Sequence, residues 1–238
     1  MAHMQPFLSG AAQESNLPTD GLRRLTGFED RLGHRARAAP ATKVAHAEQR
    51  NMIVRRVHGL IFTTFRDFLT TQYGPGIAQS VLDGQPTYVM TEAYADEDFV
   101  ALVKRTCEVT GVGSDDLVRE FGRFAGGTTF PRLYPAFFAM AGDARSFLLT
   151  VEALIHELVR ATIPKARPPQ LKVAPLGENG VTIDYASPRK LCVLLRGLVE
   201  GTARHFGEDV EITETACMHR GAAACTFEAR FSRSSLAA

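Results

Sequence analysis

The sequence predicts an α+β fold, in which a helical N-terminal part packs on a C-terminal antiparallel sheet that carries an inserted helix. Two observations predict this fold. Up to Pro164, apolar residues recur with the three- and four-residue spacing of amphipathic helices. After Pro169 the pattern changes to short extended segments around a Gly-Glu-Asn-Gly turn.

Four apolar patterns predict helices in the first part. The first begins after Val57 and stops at the Tyr-Gly-Pro-Gly sequence that contains Gly74, and the next two cover 96–111 and 114–124. The strongest pattern runs over 145–161, and Pro164 shortly after it ends the predicted helix. Its apolar face consists of Phe147, Leu148, Val151, Leu154, Ile155, Leu158 and Val159.

Four short segments predict strands in the second part. They cover 170–175, 180–185, 210–213 and 226–231, and a helix over 188–206 separates the two pairs. The tight turn between the first two segments favours antiparallel pairing.

The composition is that of one globular domain with an extension. A chain of 238 residues with 45% hydrophobic and 22% charged residues can bury roughly 70% of its unfolded surface in one core. Residues 1–53 are rich in Ala, Arg, Gln and Pro, which predicts a largely disordered extension with one short helix near 21–33. We therefore expect a domain over 54–232 and a tail over 233–238.

Charge and hydropathy exclude several classes of protein. The 27 basic and 26 acidic residues leave no basic excess for nucleic acid. No apolar run is long enough to span a membrane, and no secretory signal is recognisable, so we expect a cytoplasmic protein with no membrane partner. Four dispersed cysteines do not form a disulfide scaffold.

His156 is the first residue with chemical potential, because it lies on the apolar side of the predicted helix 145–161, between Ile155 and Val159. One interpretation is a core histidine whose nitrogens are satisfied by hydrogen bonds. The other is an axial haem ligand, which needs a neutral imidazole on a rigid apolar helix. The helix alone leaves both interpretations open.

A second group follows the second predicted strand. In an extended segment, Tyr185, Ser187 and Arg189 project to the same side, and two hydroxyls with one guanidinium suit carboxylates. The alternative is a strand that leads into a helix, with Ser187 as the N-cap and Pro188 at the first helical position.

Taken together, these residues resemble a known family. A Tyr-x-Ser-x-Arg sequence downstream of a helix histidine is similar to the haem-propionate signature of the H-NOX (haem nitric oxide/oxygen binding) family, which bacterial nitric-oxide sensors share with soluble guanylate cyclase. The resemblance covers about residues 57–231. It also includes His-Gly-Leu-Ile-Phe from His58, Tyr-Pro-Ala-Phe-Phe from Tyr134, Ile-Pro-Lys-Ala-Arg-Pro-Pro after the histidine helix, and Gly-Leu-Val-Glu-Gly from Gly197.

The resemblance implies a haem b between the helical part and the sheet. It implies that His156 is the axial iron ligand and that Pro169 presses on the porphyrin. Propionates would be held by Tyr185, Ser187 and Arg189, and the distal side would be lined by Ile61, Phe65, Leu194 and Leu198. Family members that bind oxygen stably carry a tyrosine where Leu194 stands, so NO and CO are the implied ligands.

The C-terminal cysteines form a second candidate site. Cys192, Cys217, His219 and Cys225 offer thiolates and an imidazole, which are ligands of structural zinc. Some bacterial relatives carry a zinc-binding cysteine cluster here, which this group resembles. Where those relatives have one further cysteine, this chain has Glu214, so the fourth ligand would be His219, Glu214 or water. The alternative is a set of buried apolar cysteines with a surface histidine, and Cys107 is most simply a core residue.

The resemblance implies a sensor without catalytic activity. In the family, NO weakens the trans Fe–His bond, the histidine helix is released, and the helical part rotates relative to the sheet. We find no kinase or cyclase domain after Phe231, so the implied partner is a separate histidine kinase or cyclic-di-GMP enzyme. Two alternatives are a thiol/zinc redox sensor and a haem-free small-molecule-binding module. An enzyme is disfavoured, because no nucleophile–base pair is recognisable.

Overall fold

The computed structural model describes residues 56–162 and 168–234. The predicted extension over 1–53, the helix-ending Pro164 and the last four residues of the tail lie outside the described residues. The α+β fold is confirmed, with a helical part followed by an antiparallel sheet. Within the described ranges, no helix is long and apolar enough to cross a membrane.

The helical part begins with a small sheet that the sequence did not predict. Strands of three residues carry too little alternation to be recognised, but these two pair in an antiparallel manner. The elements in chain order are β1 (Arg56–His58), α1 (Gly59–Leu82), β2 (Ala93–Ala95), α2 (Asp96–Thr110), α3 (Ser114–Phe124), a π-helix (Ala125–Thr129), α4 (Phe130–Leu133) and α5 (Pro135–Ala139).

Glycines with left-handed backbone mark the breaks that the sequence predicted. Gly111, with φ of 73°, ends α2, as predicted from the pattern over 96–111. Gly74, with φ of 81°, interrupts α1 where a stop was predicted, but helix resumes at once and continues to Leu82. The helix resumes because Pro75 is favourable in the first turn of a helix.

The predicted helical segment that carries His156 is found at the expected position, but it is not one continuous α-helix. We call it the histidine segment, and it consists of α6 (Ala144–Thr150), a π-helix (Val151–His156) and α7 (Glu157–Thr162). Its start is capped by Asp143, whose carboxylate accepts the N–H of Ser146 at 2.7 Å. The apolar face is buried only in its first half, at Phe147 and Leu148. Leu154 and Leu158 are 39% and 46% exposed.

The C-terminal sheet has the order β3-β4-β6-β5, and all its neighbours are antiparallel. Its strands are β3 (Gln170–Leu176), β4 (Gly180–Ala186), β5 (Glu208–Ala216) and β6 (Cys225–Arg233), and the inserted helix is α8 (Cys192–His205). The register pairs Tyr185 with Leu171 on one side and with Cys225 on the other. Strand β4 therefore lies between β3 and β6, and β6 carries Cys225.

The interpretation of Ser187 as a helix N-cap is wrong. Helix α8 begins at Cys192, and Leu191 is its N-cap. Residues 187–190 form a turn instead, in which Lys190 has the left-handed φ of 51°. A turn of this kind after β4 delays the helix by four residues relative to the prediction.

Two apolar clusters make up the core. One belongs to the helical part and contains Phe62, Phe65, Phe68, Leu117 and Phe121, and the other lies between the sheet and helices α6 and α8. Helix α8 contributes to both, because Leu194 and Leu198 pack against the first cluster while Leu195 and Val199 belong to the second.

Candidate functional site

His156 has one ring nitrogen held by the protein. Its Nδ1 lies 2.7 Å from Oε2 of Glu152, one helical turn earlier, and the imidazole is 15% exposed. Because a carboxylate only accepts hydrogen bonds, the proton of the neutral ring is on Nδ1. In the part of the chain that the structure describes, Nε2 has no hydrogen-bond partner. The imidazole is therefore hydrogen-bonded at one nitrogen, with the lone pair of the other available to a metal.

The protonation state of His156 is also favourable for a metal. Burial lowers the pKa of His156, and the hydrogen bond to Glu152 raises it by less. The ring is therefore neutral at pH 7. Burial alone would raise the pKa of Glu152, but hydrogen bonds from Arg160 and His156 outweigh it and the pKa is lowered, so this carboxylate is ionised.

Tyr185 and Ser187 are brought together at the end of β4. Both side chains are buried. The Tyr185 hydroxyl accepts the N–H of Leu191 at 3.1 Å, and Ser187 Oγ accepts the N–H of Arg189 at 3.3 Å. Burial raises the pKa of Tyr185, so the phenol remains a hydrogen-bond donor.

Arg189 lies in the turn after β4, and its guanidinium contacts the helical part. Nε donates to Oδ2 of Asp96 at 2.8 Å, and a terminal nitrogen donates to the carbonyl of Arg56 at 2.6 Å. Asp96 is the first residue of α2. Within the predicted triplet, the two hydroxyls are thus buried at the end of β4, while the guanidinium joins the turn after β4 to the helical part.

The four apolar residues predicted for the distal side share one cluster. Phe65 is fully buried in the helical part, and Ile61, Leu194 and Leu198 pack against the same cluster. Pro169 lies half-buried directly before β3. These side chains are apolar, and Leu194 in particular offers no hydroxyl to a ligand.

The residues present fit a haem. An imidazole with a bare nitrogen suits the iron, apolar side chains suit the macrocycle, and buried hydroxyls with a guanidinium suit the propionates. Leu154 and Leu158 on the histidine segment are 39% and 46% exposed, which also fits a helix that packs against a bound planar group.

The C-terminal cysteines converge on one point. Possible ligand atoms of Cys192, Glu214, Cys217 and Cys225 all lie within 4.8 Å of one another, and the three cysteines are buried. His219 is outside this group, because its Nε2 hydrogen-bonds to the carbonyl of Lys190 at 2.9 Å. Of the predicted alternatives for the fourth ligand, the structure places Glu214 beside the sulfurs. Cys107, as expected, packs against the helical core.

Burial raises the pKa of the Cys192 and Cys225 thiols, which keeps both neutral at pH 7. Burial and the neighbouring sulfurs of Cys225 and Cys217 raise the pKa of Cys192 to about 12. A divalent cation would reverse this, because it favours deprotonated sulfur ligands. Glu214 is held near the sulfurs by Arg220, with the guanidinium 3.1 Å from its carboxylate.

Two residues of the site were missed by the sequence analysis. Glu152 is four residues before His156, and this spacing places two side chains on the same face of a helix, so a signal was available. Asp96 carried no such signal, because nothing in the sequence relates it to Arg189, which lies 93 residues away.

The fold and the donor set together define a class of protein, a helical domain on an antiparallel sheet with a largely buried histidine whose Nε2 is available to a metal. Residues 58–214, more than half of the chain, match the family described as Haem-NO-binding. The chain therefore belongs to this family of H-NOX domains, whose members are haem-based gas sensors.

Solved structures of H-NOX proteins show the same fold. An H-NOX protein from S. oneidensis in the Fe(II)NO ligation state is 25% identical, with a TM-score of 0.68, and the match covers 74% of this chain and 100% of that one. The same organism's domain in the Fe(II)CO state is 25% identical, with a TM-score of 0.68 and coverage of 75% and 100%. An Fe(II) unliganded H-NOX protein from K. algicida is 23% identical, with a TM-score of 0.65 and coverage of 75% and 98%. The chain has no match among the curated proteins.

Proposed function

We propose that this protein is a haem-based nitric-oxide sensor in which Nε2 of His156 is the axial ligand of a haem b. The observation that carries the proposal is the His156 ring itself, which is neutral and held at Nδ1 by Glu152, with no hydrogen-bond partner for Nε2 in the described ranges. Membership of the Haem-NO-binding family supports haem as the metal-bearing group.

The remaining residues have defined roles in this proposal. Tyr185, Ser187 and Arg189 hold the propionates, and Pro169 contacts the porphyrin. The distal side is lined by Ile61, Phe65, Leu194 and Leu198. Because these four side chains offer no hydrogen-bond donor, a bound oxygen molecule gains no stabilisation there, whereas NO and CO derive their affinity from the iron bond.

The signal originates at the histidine segment. A bound haem would supply an iron that takes up NO, and His156 would hold that iron from the protein. The histidine segment is tied to the sheet through Glu152, which accepts the N–H of Leu171 on β3 at 3.3 Å. A shift of this segment therefore changes the position of the helical part relative to the sheet, and a partner that prefers one arrangement reads the change.

The partner in this proposal is a separate cytoplasmic protein, a histidine kinase or a cyclic-di-GMP enzyme. A coupling between gas and partner must be reciprocal, so partner binding changes NO affinity by the same factor as NO changes partner affinity. Neither nucleic acid nor membrane enters the mechanism.

The test is an absorption spectrum of the reduced, haem-loaded protein with each gas. We expect NO and CO each to shift the Soret band, and exposure to air to oxidise the iron without a lasting oxygen complex. An oxygenated spectrum that persists in air would contradict the role assigned to Leu194.

A second candidate function is favoured by the cysteine cluster. We propose that Cys192, Cys217 and Cys225 bind a zinc ion with Glu214 as the fourth ligand, since these groups lie within 4.8 Å of one another. Such a site joins β5, β6 and the start of α8, and oxidation of its thiols would release the metal. It is compatible with haem binding, because the two sites use different residues.

Metal analysis of the purified protein tests the zinc site. We expect about one zinc per chain, lost in Cys225→Ser and retained in Cys107→Ser, since Cys107 packs in the helical core. Equal zinc contents in the two variants would contradict the site.

A further inference from the structure

We propose that Glu152 is a positioning residue for the haem ligand, whose carboxylate holds the Nδ1 proton of His156 and thereby strengthens the bond from Nε2 to iron. The inference rests on the proposed function and deepens it, because it names a residue that sets how readily the histidine is released. Glu152 itself contacts neither iron nor gas in this account.

The hydrogen bond is direct and short. Oε2 of Glu152 lies 2.7 Å from Nδ1 of His156. The imidazole is 15% exposed and the carboxylate is 31% exposed. At this distance the contact is a charge-assisted hydrogen bond, which is about twice as strong as a neutral one. Both residues lie in the π-helical turn Val151–His156, and π-helical turns are frequent at functional sites.

The carboxylate is anchored by two further groups. Oε1 receives the guanidinium of Arg160, one turn after His156, and Oε2 also accepts the N–H of Leu171 on β3 at 3.3 Å. With partners on three sides, the carboxylate has little freedom to turn away from the imidazole. The ring orientation of His156 is therefore fixed from the protein side before a haem is bound.

The chemical consequence concerns the electron density on Nε2. An imidazole that donates its Nδ1 proton to a carboxylate is a more basic ligand, and such outer partners tune metal affinity and redox potential. A more basic ligand stabilises ferric relative to ferrous iron and strengthens the iron–nitrogen bond. Glu152 would therefore oppose the release of His156 from a bound haem.

The tautomer can be tested on the apoprotein by long-range ¹H–¹⁵N NMR of the imidazole. We expect His156 in the Nδ1–H form, which Glu152 stabilises, and a shift towards the Nε2–H form in Glu152→Leu. An Nε2–H tautomer in the wild-type apoprotein would overturn the inference, because the carboxylate would then not hold the proton.

The decisive experiment compares Glu152→Gln with Glu157→Gln in the full haem-loaded protein. Glu157 is exposed on the same helical segment and serves as the matched control. For Glu152→Gln we expect a lower Fe–His stretching frequency by resonance Raman, a higher haem midpoint potential, a larger five-coordinate share of the NO complex, and haem release faster by roughly 10–100-fold. Glu157→Gln should match the wild type in all four.

Arg160→Gln provides a test of opposite sign. Without the guanidinium, the Glu152 carboxylate is a stronger acceptor towards His156, so the Fe–His frequency should rise and the potential should fall. A purely structural role for Glu152 predicts no such reversal. This variant also tests the positioning role of Glu152 if Glu152→Gln does not fold.

The outcomes separate the inference from the proposed function. If the wild type shows an Fe–His band and Glu152→Gln leaves that band and the potential unchanged, the inference is overturned and the sensor stands. If the wild type shows no Fe–His band at all, the proposed function fails, and the role of Glu152 fails with it.

Discussion

Arg189 is engaged by protein groups in this structure, independently of any role towards a propionate. Its guanidinium is 17% exposed and pairs with Asp96, whose side chain is 15% exposed. Oδ1 of Asp96 is buried and has no hydrogen-bond partner among the residues that the structure describes. Loss of the guanidinium would leave this carboxylate buried and unpaired. A residue that the family resemblance assigns to the cofactor thus also connects the turn after β4 to the start of α2.

This dual engagement predicts that Arg189→Ala weakens the protein even without haem. Removing one partner of a partly buried, charged hydrogen bond costs about 1–3 kcal/mol. Urea denaturation of the apoprotein measures this loss, with Arg66→Ala as a control whose exposed pair with Asp67 contributes little. An unchanged stability of the Arg189→Ala apoprotein would show that the contact with Asp96 is energetically negligible.

At the scale of elements, helix α3 and the π-helical turn after it pack against α8 through glycines. A Cβ atom at Gly197 would lie 2.1 Å from the carbonyl oxygen of Arg119, and one at Gly201 would lie 2.3 Å from that of Arg123. Gly122 and Gly126 face α8 from the other side. The two backbones therefore approach each other more closely than any side chain permits.

Because of this close approach, Gly197→Ala should separate α3 from α8. We expect a loss of at least about 2 kcal/mol in the free energy of unfolding, in the range seen for overpacked cores. Gly142→Ala is the matched control, since a Cβ there meets nothing within 4 Å. Thermal or urea unfolding of both variants measures the difference, and equal stabilities would contradict the close packing.

An ion-pair network lies beside the same interface. Glu200 on α8 is 12% exposed and accepts hydrogen bonds from Arg119 at 2.9 Å and Arg123 at 2.6 Å. Burial alone would raise the pKa of Glu200, but the hydrogen bonds from the two arginines outweigh it, and the pKa lies below the ordinary value of 4.5. The carboxylate therefore joins α8 to α3 in its ionised form.

The lowered pKa predicts an acid-dependent contribution to stability. A depressed folded pKa stabilises the protein fully above the unfolded value of 4.5, and this contribution is lost as the pH falls through the folded value. Glu200→Gln should therefore cost about 1–3 kcal/mol at pH 7 and progressively less below pH 4.5. Urea denaturation across this range checks it. A cost that does not change with pH would mean that the charge of Glu200 is irrelevant.

Over the chain as a whole, the order of the helices and strands could be predicted, but the start of α8 and the short strands β1 and β2 could not. Periodicity and glycine breaks are local signals, so α2, α3 and the four strands of the C-terminal sheet are found where the sequence predicts them. The late start of α8 depends on a turn with left-handed Lys190, and the three-residue strands β1 and β2 exist only as a pair. Such features are determined by tertiary contacts, which a local pattern does not contain.

In the candidate site, too, the sequence predicted the residues within contiguous segments but not the contacts between distant ones. His156 and the Tyr185–Arg189 signature were found because they lie in contiguous segments that resemble a family. The pairing of Arg189 with Asp96 and of Glu152 with Leu171 depends on how distant segments meet, so it required coordinates. Glu214 was one of three open alternatives until the fold placed it beside the sulfurs.

The proposed sensor depends on a bond between Nε2 of His156 and haem iron, and a haem titration of the apoprotein tests for this bond. We expect one haem per chain, with a ferrous Soret spectrum typical of a single axial histidine. In His156→Gly this spectrum should be lost, and added imidazole should restore it by occupying the position of the side chain. A wild-type protein that does not take up haem, or a His156→Gly spectrum identical to that of the wild type without imidazole, would contradict haem ligation by His156.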